Sequence, residues 1–175
     1  MAQTQVFYNP PKAYEGMLAS LNDQKVRGTI PKLVTSGTVY VGRAATFHAT
    51  DKSLIKLPGA STEVFAGIVF PNNLQSATFE ANLARSESPS TFAGWAIASG
   101  EPVGVMTEGD IWVWTEVAVA INDPVYFRHT AGTAPNDVLG RFSKTSGANV
   151  TLVPNAVFVT STSAAGLAVI SLKGF

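Results

Sequence analysis

Cysteine is absent from the 175 residues. A disulfide framework, thiolate chemistry and a cysteine-based metal site are excluded with it. Charge is scarce too: Asp, Glu, Lys and Arg make up 14% of the chain, against about 25% in ordinary soluble domains. Twelve basic residues balance twelve acidic ones, for a formal net charge of zero. No cationic surplus is left to neutralise phosphates, so a nucleic-acid partner is not expected. The two histidines, His48 and His129, have no His, Cys or carboxylate partner adjoining them, so each reads as a half-exposed strand residue and no metal is expected. No apolar run approaches the ~20 residues of a membrane helix. The first residues lack the basic and apolar regions of a signal peptide, so the product is expected to stay in the compartment where it is made, with no membrane partner.

What is present points to β-structure. Hydrophobic residues make up 46% of the chain, enough to fill a core. From Leu33 onward the apolar pattern has a period of two. Strand candidates fall at 38–49 (broken at Gly42), 52–57, 63–70, 95–99, 103–106, 111–117, 125–129, 138–142, 150–152, 156–160 and 167–172. Their spacing of roughly 8–14 residues, punctuated by Gly, Asn, Asp and Pro, is the pattern of an antiparallel barrel or sandwich. The run 64–70 is apolar on both faces and is expected to be buried on both. The fold expected is all-β, an antiparallel barrel or jelly-roll-like sandwich, with an extended N-terminal arm and at most one or two short helices. Residues 1–32 form the arm and 33–175 the β-domain, with a loop excursion at 71–94.

The arm carries Phe7, Tyr8 and Tyr14 around the tandem Pro10-Pro11. Two prolines force extended backbone, and large aromatics in an extended arm are costly to leave in water. They are expected to dock on the arm's own domain or on a neighbour. Residues 13–21 place Tyr14, Met17, Leu18 and Leu21 on one helical face, so a short helix is expected there, weakened by Gly16.

No catalytic constellation emerges. Glu108-Gly109-Asp110 reads as a turn rather than an acid/base pair, and Asn122-Asp123-Pro124 as turn initiation. Gly37 and Gly42 have phosphate-loop spacing, but Arg43-Ala44 follows where Lys and a hydroxyl would be needed. There is no Gly-x-Ser-x-Gly elbow. Trp112 and Trp114 lie two apart on one face of a strand, with Ile111, Val113 and Val117, joined by Thr115, on the other. One face covers the core; the other needs a cover from the chain itself or from another subunit. Catalytic residues and cofactors are expected to be none.

In their order along the chain, four stretches resemble the structural cement (capsid decoration) proteins of tailed bacteriophages. The first is Val6-Phe7-Tyr8-Asn9-Pro10-Pro11 followed by Gly16-Met17-Leu18-Ala19. The second is Lys56-Leu57-Pro58 with Val64-Phe65-Ala66-Gly67-Ile68-Val69. The third runs from Val105 through Asp110-Ile111-Trp112-Val113 to Asp123-Pro124-Val125-Tyr126-Phe127-Arg128, with Asn122 where glycine is common. The last is Ala164-Ala165-Gly166-Leu167-Ala168-Val169-Ile170-Ser171-Leu172. The resemblance implies a non-enzymatic protein, made in the bacterial cytoplasm, that binds the outside of an assembled capsid and holds major capsid protein capsomers together. It implies a homo-oligomer, here expected as a trimer ahead of a dimer. Phe7, Tyr8, Pro10, Pro11, Tyr14, Trp112 and Trp114 are the candidate capsid or subunit contacts. A tail or fibre-base β-module is the alternative, and a carbohydrate-binding β-domain a more distant one.

Overall fold

Most strands in the first half of the described chain are short, and the three longest, of eight or nine residues, lie in the second half. The computed structural model describes residues 13, 15–19, 32–70, 96–132 and 138–173. Among them twelve strands are formed: β1 (Lys32–Val34), β2 (Thr38–Tyr40), β3 (Ala44–Phe47), β4 (Leu54–Lys56), β5 (Phe65–Phe70), β6 (Ala96–Ala98), β7 (Pro102–Met106), β8 (Glu108–Thr115), β9 (Pro124–Arg128), β10 (Phe142–Ser143), β11 (Val150–Phe158) and β12 (Gly166–Lys173). They close into two five-stranded barrels, ordered β1-β4-β3-β5-β7 and β10-β8-β12-β11-β9, with β2 and β6 as a separate two-stranded sheet. The all-β expectation holds, and the barrel is doubled. Pairing is antiparallel except for β1 with β4 and β10 with β8.

The two barrels share a wall. Ala45, Ala66 and Val69 point into the first barrel, where Val34, Val39, Ile55 and Ile97 complete the core. From the same two strands, Ala44, Phe65 and Ile68 point the other way, into the core of the second barrel. Strand β5 is therefore buried from Phe65 to Val69, which is why its sequence is apolar on both faces. A bulge makes this possible. Ala45 faces Gly67 but Thr46 faces Phe65, so Ala66 is the extra residue, and the alternation changes phase there. Gly67 has φ of 140°.

The second core is built on Phe127, Phe142, Phe158, Ile111 and Ile170, all fully buried. Each such side chain contributes roughly 1.5–3 kcal/mol of burial. Phe65 of the first barrel stacks on Phe127 of the second, with centroids 5.4 Å apart. Such a contact adds about 0.5–1.5 kcal/mol to the wall beyond burial.

Several local expectations change. The described residues of 13–21 form no helix. Gly16 donates to the Trp112 carbonyl at 2.7 Å, Trp112 to Met17 at 2.8 Å and Ala19 to Asp110 at 3.0 Å, so residues 16–19 lie along β8 as an added strand. Met17 and Leu18 are neighbours on an extended chain rather than on a helical face. Glu108-Gly109-Asp110 is not a turn: it opens β8 and pairs in register with Lys173, Leu172 and Ser171. Only Thr107 separates β7 from β8, and Gly109 is favoured because its φ of 119° is one that L side chains rarely adopt. Residues 138–141 form a turn, leaving only Phe142 and Ser143 as strand. The pieces expected at 150–152 and 156–160 merge into β11, which shifts register between Leu152 and Val157. Asn122-Asp123-Pro124 is the expected turn. Asn122 adopts φ of 69°, a conformation open to Asn and Gly, and Asp123 Oδ2 accepts from the Ala120 amide at 2.8 Å. The excursion at 71–94 lies outside the described residues.

The loop at 57–64 closes on one carboxylate. Glu63 accepts from the Thr46 hydroxyl at 2.9 Å and the Gly59 amide at 2.9 Å, and pairs with Lys56. Burial would raise its pKa; the bonds from Lys56, Gly59 and Thr46 outweigh that and hold it below the usual 4.5.

Replacing Gly67 with Ala should cost about 3 kcal/mol or more, because its Cβ would lie 2.4 Å from Val105 Cγ1 and 2.5 Å from the Met106 carbonyl oxygen; the midpoint of urea unfolding measures this. The contribution of Glu63 is present above pH 4.5 and is lost as pH falls through its lowered pKa. Melting temperatures between pH 3 and 5 should therefore fall more steeply for the wild type than for Glu63→Gln.

Candidate functional site

The candidate site residues and the buried charges lie at three places in the described structure. The first is the outer side of β8. Its alternation puts Ile111, Val113 and Thr115 inside the second barrel, all fully buried. Trp112 and Trp114 point outward and are half-buried. Opposite them in β12 stand Val169 and Leu167, and Val169 is buried although it faces away from the core. The guanidinium of Arg141 lies over the Trp114 ring, 5.4 Å from its centroid. Part of the cover for this side of the strand thus comes from the chain itself, with Arg141 over one ring, while residues 16–19 pair along the edge of β8. Phe7, Tyr8, Pro10, Pro11 and Tyr14, the other candidate contacts, lie outside the described residues.

The second place is the seam where the barrels meet residues 15 and 16. Gly16 and Gly42 pack backbone to backbone. A Cβ on Gly42 would lie 2.6 Å from the Gly16 nitrogen, and one on Gly16 would lie 2.2 Å from Val41 Cγ1. Gly140 donates to the Arg128 carbonyl and accepts from the Ala44 amide, both at 2.9 Å, which ties the two barrels together. Gly42 and Gly140 both have φ of 78°, and each is followed by an arginine. Arg43 is buried over the Tyr40 ring, 4.1 Å from its centroid. Between these arginines lies Glu15, 3% exposed. Neither of its carboxylate oxygens is hydrogen-bonded. Burial raises its pKa to about 7, while the charges of Arg43 and Arg141 and the nearby Trp114 amide lower it in part. Burial also lowers the pKa of Arg43, and Glu15 opposes that shift.

A further buried pair stiffens the second barrel. Arg128 donates from Nε and from an Nη to the two oxygens of Glu116, both at 2.7 Å. This bidentate geometry is the strongest form of such a pair. It forms the floor of an open cleft of about 460 Å³, rimmed by Ser143, Thr145, Ser146 and Asn149. His129, expected half-exposed, is buried because its strand end is covered: its amide donates to the Asn149 carbonyl, and Nδ1 meets the Thr130 hydroxyl at 2.9 Å. His48 is half-buried beside Thr50. Among the described residues no cluster of three or more His, Asp or Glu is placed to hold a metal ion.

A protein family described as structural cement protein (E217 gp24/Pam3 gp6) matches residues 2–173. The chain belongs to the phage structural cement protein family. It is therefore a structural component of a phage capsid. Its fold is shared with a chain from the capsid of Myoviridae phage XM1, at 17% identity and a TM-score of 0.63, over 97% of this chain and 98% of that one. No curated protein matches it.

The buried charges were not singled out by sequence reasoning. The available signal was the repeated Gly-Arg step at 42–43 and 140–141, together with Glu15-Gly16 in the family-like N-terminal stretch. Glu116 and Arg128 carried no local signal, because their pairing depends on β8 and β9 being brought together by β10.

Arg128→Met should destabilise the protein by about 3–5 kcal/mol, because it leaves Glu116 buried and uncompensated. Adding Glu116→Leu should recover most of that loss. A double-mutant cycle in guanidinium unfolding checks both outcomes.

Proposed function

We propose that this cement protein binds the outer surface of the assembled capsid and holds neighbouring major capsid protein subunits together. The observation that carries this reading is the construction of the N-terminal segment. Residues 16–19 are joined to β8 by backbone hydrogen bonds, so whatever the preceding residues touch is linked mechanically to both barrels. The body it is linked to is stiff, with a shared wall and two closed sheets. A clamp between capsomers needs such a body to transmit load.

In this reading residues 1–32 are the arm and 33–175 the body, with the excursion at 71–94 as a second reach. Phe7, Tyr8, Pro10, Pro11, Tyr14, Trp112 and Trp114 make the capsid or subunit contacts. Copies associate with each other, three rather than two. Low charge supports contact with neighbours, since interface cores are depleted of charged residues. Leu33, Val64, Ile121 and Leu152 are 46–62% exposed and are available for contact. Repetition over a lattice lets weak individual contacts sum to firm attachment.

Removing residues 1–12 leaves Ala13 and the β8-bound segment in place. The truncated protein should keep its melting temperature and lose at least tenfold in affinity for shells assembled from the phage's own major capsid protein, measured by co-sedimentation. Undiminished binding would refute the role given to the arm. Electron microscopy of decorated shells tests the exterior position and the copy number at each site.

A further inference from the structure

We propose that residues 15–19 are a releasable strap, and that a proton on Glu15 controls how firmly the strap closes over the seam between the two barrels.

The geometry separates what holds the strap from what opposes it. Three backbone hydrogen bonds hold it, from Gly16 to Trp112, from Trp112 to Met17 and from Ala19 to Asp110. The close approach of Gly16 to Gly42 permits them, since neither position has room for a Cβ. Closing this strap carries Glu15 out of water to 3% exposure with no hydrogen bond to either oxygen. A carboxylate buried in that way is costly, and a neutral carboxyl much less so. The charged groups facing it are Arg43 from the 41–44 turn, with Tyr40 under its guanidinium, and Arg141 from the turn before β10. From β8 it meets the backbone amide of Trp114. The two arginines offset part of the cost of ionisation, but burial outweighs them, and the carboxyl titrates near 7 when docked against a usual 4.5. Once the strap lifts, the carboxyl returns to water and ionises freely.

The direction follows from linkage. The docked strap binds a proton that the open strap releases, so docking is firmest below about pH 4.5 and weakens as pH rises through about 7. Opening uncovers the backbone groups of Asp110 and Trp112 on the edge of β8, a ready acceptor for another extended segment. This device is a property of the free protein and does not depend on what the arm binds.

Amide hydrogen exchange of the full-length protein, followed residue by residue by NMR, tests it. The reporters are the amides of Gly16, Ala19 and Trp112, with the amides of β12 as the reference for opening of the barrel. After correction for intrinsic exchange, wild-type protection at the three reporters should fall on the order of a hundredfold between pH 5 and pH 8, while β12 holds. Glu15→Gln, which mimics the neutral form, should keep high protection with no pH dependence. Arg141→Gln removes a cation that favours the charged form, so the transition should move to higher pH. Protection that is flat or rises with pH in the wild type would overturn the proposal. So would an unchanged fall in Glu15→Gln, or, should that variant not fold, an unmoved transition in Arg141→Gln.

Discussion

The wall shared by the two barrels is the constraint from which the rest of the architecture follows. Strands β3 and β5 must present apolar side chains in two directions at once, Ala45, Ala66 and Val69 to one core and Ala44, Phe65 and Ile68 to the other. A regular strand alternates strictly, and a one-residue slip would send every side chain to the wrong core. The bulge at Ala66 and the permissive backbone of Gly67 set the phase separately on each side of it. Because one wall serves both barrels, neither can tilt without repacking the other. Stiffness of this kind comes from topology as much as from the number of contacts.

Around that wall the protein places its buried charges at joints. Glu116 and Arg128 brace the second barrel where β10 closes it, and Glu15, Arg43 and Arg141 meet where residues 15–16 cross the seam. Removing an ion from water is expensive, and the outlay is justified only where it specifies a unique arrangement. The two sites differ in how completely they are satisfied. The Glu116 carboxylate accepts two short bonds from one guanidinium; the Glu15 carboxylate accepts none. One is a permanent brace. The other holds its segment only on terms set by its surroundings. In a capsid structural protein this division is useful, because the body has to persist while the parts that meet neighbours engage at the right stage.

Much of the body was legible in the sequence. Period-two runs located nearly all the strands, and the doubly apolar run at 64–70 marked a strand buried on both sides. The inward set Ile111, Val113 and Thr115 and the outward pair Trp112 and Trp114 were separable by alternation alone. The misreadings have physical causes. Glu108-Gly109-Asp110 has turn composition, yet its glycine serves a positive-φ position inside the strand, and the residues stay in the ladder with β12. Residues 13–21 carry a helical spacing of apolar side chains, but the described residues 16–19 hydrogen-bond along the edge of β8 instead. That there are two barrels rather than one could not be read from strand spacing, since spacing does not say which strands close on which. The seam was also beyond reach, because it joins residues from three distant parts of the chain.

Strand β8 has one further consequence, for the order in which the chain can assemble. On one edge it pairs along its whole length with β12, the last strand, and on the other it takes residues 16–19 from the opposite end of the sequence. The first barrel draws only on strands between Lys32 and Met106, so its pairing can be complete while later residues are still being synthesised. The second barrel has to wait for β12, and residues 16–19 have no sheet to join until it forms. Pairings between such distant positions are slow to find. The segment that leads into the arm is thus the last to be secured, after the body that supports it is finished.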